Sequence, residues 1–542
     1  MKAKLSLTLA LVMLLSLCAC GSTQKTTPVQ EAEAAEAPAE EAVEAAPAGL
    51  DNEVILQKIL EEFEPITKVP RPSSHTEAIS AYLTQWGKDH AFETVCDEVG
   101  NVIMDVPATA GYEAAPTTIL QAHSDMVCVS DDPNWDGVVT TRIIDDNLYA
   151  TNTSLGGDDG IGIATAMFLA TSPDVVHGPL RIIVTINEEG GSPSGVGNLD
   201  PKCVEGVDYM VNIDSEDYAT CTVAACGFTA YNFVDALNWQ DADTDGKVAF
   251  EIDLSGLKGG HSGVDIDKNR ANAIKTLSYC LAWAKYNGID TELCSFTGGT
   301  GMTAIPSKAN VKFLVKAEDA DALTEILETV KADFAVQFDR TEAGYSFDWT
   351  EWNENADAPA KALSPEASAK VIDIICAVPS GLNTKNMRYP GITETSFNLG
   401  IVSVTPESDV FSLLLPMRTM STWHSQQANM QMVAIAEAFG LEMQVNPYPS
   451  LGWQEREGDV IAEYYAKAFK EYTGTDCVIT GVHGGLECAD FADWSSTLQI
   501  ISVGPDVESP HSTNEHVPLK TVAPTAGAIA TLLGYIARDE LK

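Results

Sequence analysis

Positive charge is what this 542-residue chain has least of: 32 Lys and Arg stand against 78 Asp and Glu, a formal charge of -46. A surface of that sign repels phosphates, which excludes nucleic acid and anionic lipid headgroups as partners in their own right. Cysteine is thinly spread. Beyond Cys18 and Cys20, ten cysteines are scattered from Cys96 to Cys488 with no Cys-x-x-Cys pair. That excludes a dense disulfide framework and reads mostly as small buried apolar side chains, with a Cys221–Cys226 bond left open. No internal repeat is evident, and the apolar run at the N-terminus, Leu5 to Leu17, is too short to span a bilayer comfortably.

That run follows Lys2 and Lys4 and ends in Leu17-Cys18-Ala19-Cys20-Gly21, the layout of a signal peptide over residues 1–20. A small residue followed by Cys resembles the lipobox of bacterial lipoproteins, with Cys20 as the acylated residue. Ordinary secretory cleavage near Ala19 is the alternative. The expected location is the outer side of the cytoplasmic membrane, held only by a lipid anchor. Residues 21–48 are Ala, Glu, Pro, Thr and Gln with six Glu between Glu31 and Glu44. Such a stretch cannot bury a core and reads as a disordered tether.

The remainder is globular in composition, with 45% hydrophobic and 20% charged residues, and long enough for two domains. Helical spacing over 53–66 and 75–90 is followed by short apolar runs alternating with helical stretches, an α/β pattern over 49–227. From about 228 to 450 the strands alternate apolar and polar residues, as in Lys247–Leu254 and Ala309–Lys316. Helices lie between them, which reads as an inserted α+β domain. After 451 the first pattern resumes to 542. The expected architecture is therefore one α/β catalytic domain interrupted by a second, lid-like domain.

Five acidic or histidine motifs follow strands, where α/β sheets place their sites. They are His123-Ser124-Asp125, Gly156-Gly157-Asp158-Asp159-Gly160, Asn187-Glu188-Glu189-Gly190, Asp214-Ser215-Glu216, and His511 in Ser509-Pro510-His511. A neutral imidazole ligates zinc, and a carboxylate two residues on can set its tautomer. Adjacent acids such as Glu188 and Glu189 repel unless a cation divides their roles. Each motif alone is as well read as a turn or a solvated acid.

Their order resembles the co-catalytic metallopeptidase family that includes the aminoacyl-histidine dipeptidases, the carnosinases and peptidase T. The likeness runs through LQAHSDMV, GGDDGIG, NIDSED, GLKGGHSG, ETSFNLGIV, HGGLEC and SVGPDVESPHS, over roughly residues 50–540. It implies a mixed-sheet, two-metal exopeptidase domain interrupted by a lid. Asp158 would bridge two divalent ions, most naturally zinc, with cobalt or manganese also fitting mixed His and carboxylate ligands. His123 and Asp214 would complete one site, Glu189 and His511 the other. Asp125 would orient His123, and Glu188 would serve a metal-bridging water as general base and then acid. A cis peptide is implied between Asp158 and Asp159. His261 would stabilise the oxyanion, sometimes across a homodimer interface built by the lid. Arg418 would grip the substrate carboxylate, Gly484 and Gly485 would line the cleft, and Glu487 would meet the free amino terminus. Family members of this kind are cytoplasmic, so the anchor is a departure.

The expectation is metal-dependent hydrolysis of dipeptides, Xaa-His among them, outside the membrane. The alternatives are a tripeptidase or N-acyl-amino-acid deacylase using the same site, and an inactive peptide-binding lipoprotein.

Overall fold

In the first helix, Asn52–Thr67, Ile55, Ile59, Phe63 and Ile66 fall on one face and are buried, while Asp51 accepts a hydrogen bond from the Glu53 amide at its start. This computed structural model describes residues 51–352, 359–446 and 449–541. The signal peptide, Cys20 and the tether expected over 21–48 lie outside the described residues.

A nine-stranded sheet follows. Its spatial order is Glu93–Cys96, Val102–Val106, Leu180–Thr185, Thr117–His123, Val207–Asn212, Gln499–Ser502, Thr220–Ala225, Trp453–Gln454, with Val478–Val482 also pairing to Thr220–Ala225. The four central strands, from Leu180–Thr185 to Gln499–Ser502, are mutually parallel. Their apolar residues pack under the helices Gly157–Thr171, Ile461–Thr473 and Leu519–Ala537. The last of these is apolar enough to pass for a membrane span, yet its apolar window is 83% buried. It begins at Leu519, with Pro524 inside its first turns.

Between Ala225 and Trp453 the chain builds a ten-stranded antiparallel sheet. Strands Lys247–Ser255, Ala309–Lys316 and Glu292–Gly298 lie side by side within it. Phe250 faces Phe313 across the first pair, with ring centroids 5.9 Å apart. Helices Ala273–Tyr286, Ala320–Phe338, Pro365–Ala377 and Thr422–Phe439 contribute to the core that covers this sheet. Here the alternation read in the sequence matches a sheet with one buried face. The ten described cysteines are free. Cys221 and Cys226 lie five residues apart at one strand, about 16 Å along it, far beyond disulfide reach.

Helix Gly157–Thr171 meets the sheet at Gly162, where a Cβ would lie 2.6 Å from the Ile213 carbonyl and 2.1 Å from an Asp159 carboxylate oxygen. Alanine in a helix ordinarily stabilises by about 1 kcal/mol relative to glycine. At Gly162 the clash reverses the sign. Gly162→Ala should destabilise the chain by about 1–3 kcal/mol, as overpacking does, and a lower urea midpoint would show it; a raised midpoint would refute this account of the packing.

Candidate metal centre

The four parallel strands end at one edge of the sheet, and the expected ligands sit there. His123 closes its strand, Glu188 and Glu189 follow Thr185, Asp214 follows Asn212, and His511 lies on the loop after Ser502. Asp158 comes from the start of helix Gly157–Thr171, where Asp158 and Asp159 leave helical dihedrals and the peptide between them is cis. Gly156 before them adopts φ 66°, and a Cβ there would lie 2.4 Å from an Arg71 nitrogen.

Asp158 presents its two oxygens to different imidazoles. His123 Nε2 lies 2.9 Å from Asp158 Oδ1 and 3.4 Å from Asp214 Oδ1. His511 Nε2 lies 3.2 Å from Asp158 Oδ2 and 2.7 Å from Glu189 Oε1. Donor atoms of His123, Asp158 and Asp214 lie within 4.8 Å of one another, as do those of Asp158, Glu189 and His511, and those of His123, Glu188 and Glu189.

Electrostatics supports a cation here. Burial, with neighbouring acids adding to it, pushes Glu188 well above the usual carboxylate range, Glu189 upward and Asp214 up to about 6. Burial acts the same way on Asp158, but hydrogen bonds with His123 and His511 outweigh it and hold Asp158 low. Buried acids in such number need compensating positive charge. Two sets of imidazole and carboxylate donors sharing Asp158 fit a pair of divalent ions of the zinc, cobalt or manganese type.

Supporting contacts reach the ligands from below. Asp125 Oδ1 lies 3.5 Å from His123 Nδ1. The Asp125 carboxylate also accepts from Ser73 Oγ at 2.7 Å and from the amides of Glu188 at 3.0 Å and Glu189 at 3.3 Å. It therefore holds the acidic pair as well as the histidine. One level lower, Gln121, Asn212 and Ser502 stand in register on three adjacent strands. Ser502 Oγ donates to Asn212 Oδ1, Asn212 Nδ2 to Gln121 Oε1 at 2.5 Å, and Gln121 Nε2 to Glu487 Oε2 at 2.7 Å. Thr185 Oγ1 donates to the same Glu487 oxygen at 2.5 Å. Side chains alternate faces along a strand, so Gln121 and Asn212, two residues before His123 and Asp214, share the face of the ligands.

Glu487 is buried, one oxygen taken by Gln121 and Thr185, and burial pushes it up to about 8. It ends the polar ladder, and its other oxygen has no hydrogen-bond partner among the described residues. At Gly484 and Gly485 a Cβ would meet only ordinary contacts at 3.6 and 3.7 Å. What the loop contributes is bracing. The Gly484 carbonyl accepts from the Cys226 amide at 2.7 Å, and buried His483 pairs with Cys226 Sγ at 3.0 Å and Ser396 Oγ at 2.7 Å.

From the inserted domain come Arg418 and His261. Arg418 Cζ lies 5.2 Å over the Phe228 ring, and its buried Nε has no hydrogen-bond partner among the described residues. His261 Nδ1 accepts from the Gly263 amide at 3.3 Å. Burial, then the Arg418 charge, holds His261 below its ordinary value, with His511 adding to the effect. The turn carrying His261 abuts the His483 carbonyl.

The sequence reading did not single out Arg71, Ser73, Gln121, Asn212 or Glu515. A signal existed for some of them: Gln121 and Asn212 are polar residues at the two-residue period before a ligand. Arg71, 1% exposed, donates to the carbonyls of Ser124 at 2.9 Å, Asp125 at 3.1 Å and Gly156. Nothing local in Pro70-Arg71-Pro72 indicates those partners.

Residues 252–342 match the family of peptidase dimerisation domains. Over 474 residues the chain is 29% identical to the cytosol non-specific dipeptidase of Escherichia coli, covering 86% of this chain and 95% of that protein. The crystal structure of aminoacylhistidine dipeptidase from Vibrio alginolyticus matches with a TM-score of 0.78 at 28% identity, over 88% of this chain and 96% of that one. The aminopeptidase PepT of Bacillus cereus, at 16% identity, shares the fold with a TM-score of 0.50 over 89% of this chain and 99% of that one.

The Asp125 contacts yield a direct expectation. Asp125→Ala should weaken ion retention about 10- to 100-fold, the usual cost of losing a partner behind a metal ligand. Metal analysis after dialysis against a competing chelator measures it, and unchanged retention would remove Asp125 from the centre.

Proposed function

We propose that this chain is a metallopeptidase of the co-catalytic family that includes the aminoacyl-histidine dipeptidases, and that it hydrolyses dipeptides, Xaa-His among them, with Glu188 moving the proton. The observation that carries the proposal is the division of Asp158 between two imidazoles, 2.9 Å from His123 and 3.2 Å from His511. Two bound divalent ions supply a water acidic enough to ionise near neutral pH and a charge that polarises the peptide carbonyl.

The protein supplies the rest. Glu188 stands with His123 and Glu189, where its carboxylate would take a proton from the attacking water and pass it to the leaving amine. Asp125 holds the Glu188 amide at 3.0 Å and so fixes where that carboxylate begins. His261, kept neutral by burial and by Arg418, has an imidazole N–H to offer the developing oxyanion. Arg418 is a half-buried cation whose buried Nε has no hydrogen-bond partner among the described residues. A guanidinium fork in that state suits the substrate's terminal carboxylate.

We further propose that the chain works outside the cytoplasm, anchored through Cys20, and pairs through its lid. Support comes from the run Leu5–Leu17 ending at Cys20 and from the dimerisation-domain match at 252–342. Sedimentation as a two-chain species, and release from membranes on Cys20→Ser, are the outcomes expected; a monomer, or an unaltered chain already free of membranes, would remove the respective claim.

Chelation should abolish cleavage of β-Ala-His and other dipeptides, and zinc, cobalt or manganese should restore it. Glu188→Gln should lower kcat by about 10²–10⁴-fold, the range general-base loss produces, with ions still bound. Arg418→Met should raise KM for free dipeptides far more than for their C-terminal amides. Cleavage confined to tripeptides or N-acetyl amino acids would sink the dipeptidase assignment, and full turnover by Glu188→Gln would sink the role of Glu188.

A further inference from the structure

Four residues beyond His511, Glu515 is 2% exposed and meets no basic side chain by hydrogen bond. Its carboxylate instead receives four consecutive backbone amides. Leu155 at 2.7 Å and Gly156 at 3.0 Å donate to Oε2, while Gly157 at 2.7 Å and Asp158 at 3.3 Å donate to Oε1. From another side Arg71 takes the carbonyl of Gly156. The loop that carries Glu515 and His511 is closed at its base, where Glu508 and His516 exchange backbone hydrogen bonds of 2.8 and 3.0 Å. Beyond that base, His516–Pro518 pairs with Asn147–Ala150.

We propose that Glu515 is a positioning residue that joins the Asp158 loop to the His511 loop, so that the two ion positions are assembled as one unit. This rests on the metal reading above. A carboxylate is acceptor-only and offers about four lone-pair sites, which matches four converging N–H groups. It also neutralises the start of helix Gly157–Thr171, where the amide dipoles point. Because His511 stands on the same closed loop, the bonds that seat Asp158 also set its spacing to His511. Glutamine would turn an NH₂ group towards two of the four donors, so the isosteric change breaks half the cage.

The test uses the mature chain, ion-free, with Glu515→Gln, Glu515→Asp and a control, Glu508→Gln. Glu508 is exposed on the same loop and meets only His516 at 3.3 Å. Two measurements are made: hydrogen exchange at the amides of residues 155–158 before any ion is added, and calorimetric titration with zinc alone. In Glu515→Gln those amides should exchange at least ~10-fold faster while the inserted sheet keeps its protection, and one zinc should bind at least ~10-fold more weakly, the scale expected for contacts behind a ligand. Glu515→Asp should fall between, and Glu508→Gln should match the unaltered chain. Two zinc ions bound by Glu515→Gln at unchanged affinity would overturn the proposal, as would faster exchange spread evenly over both sheets. If Glu515→Gln does not fold, Glu515→Asp is judged by the same two criteria. Failure of the unaltered chain to bind zinc would overturn the metal reading and this proposal together, whereas two ions bound at unchanged affinity in every variant would overturn this proposal alone.

Discussion

Asp158 offers one carboxylate oxygen to each of two imidazoles, and that sharing dictates the neighbourhood. His123 at 2.9 Å and His511 at 3.2 Å come from segments almost 400 residues apart in sequence. For both to reach one side chain, three backbone segments must meet with little play. Asp159 Oδ2 accepts the His123 amide at 3.2 Å, Arg71 joins the Ser124–Asp125 turn to Gly156, and the Asp125 carboxylate gathers the Glu188 and Glu189 amides. None of these contacts touches a substrate. Each removes a freedom that would let the Asp158 carboxylate swing, and a misplacement of about 1 Å at such a site is costly.

Charge is distributed with equal consequence. Most of the acid excess is an ordinary solvated surface, but the acids at the sheet edge are buried and raised in proton affinity. On the inserted domain the relation is inverted: Arg418 lies over Phe228 with an unpartnered Nε in a chain rich in acids. His261 is influenced by Arg418 and by His511, which ties the two regions electrostatically. A free dipeptide carries an ammonium at one end and a carboxylate at the other. Under the proposed function, a cationic group on the inserted domain and an acid-rich sheet edge would discriminate between those ends before any side chain is read, through the field rather than through shape.

Three of the candidate residues were legible in the sequence because His123, Glu189 and Asp214 stand at or shortly after the ends of strands Thr117–His123, Leu180–Thr185 and Val207–Asn212, whose largely buried central residues mark parallel central strands. The antiparallel insert was legible through alternation in Lys247–Leu254 and Ala309–Lys316. What escaped has two causes. Arg71 and Glu515 bind backbone groups, and a backbone amide has no residue identity to betray it. The inward partners of Glu487, Gln121 and Thr185, escaped because nothing local in Gly484-Gly485-Leu486-Glu487 indicates them. Those partners are over 300 positions away, and the pairing exists only once the C-terminal part of the chain has joined the sheet.

That joining has an energetic side. The strand Gln499–Ser502 and the His511 loop complete a central parallel run whose other three strands precede the insert in sequence. Completing it brings Asp158, Glu189 and Asp214 together with His511, and without counter-charge those acids oppose closure. Ions bound only by the closed arrangement stabilise it by mass action, about 4.1 kcal/mol at a thousand times Kd for one site. Apparent stability and ion affinity are therefore one linked quantity at this edge of the sheet. The neutral and cationic contacts already in place, from Arg71, Ser73 and the four amides around Glu515, offset part of the same repulsion. Ser73 and the four amides act on Asp125 and Glu515, leaving the oxygens of Asp158, Glu189 and Asp214 with the imidazoles of His123 and His511 as the charge that bound ions would compensate.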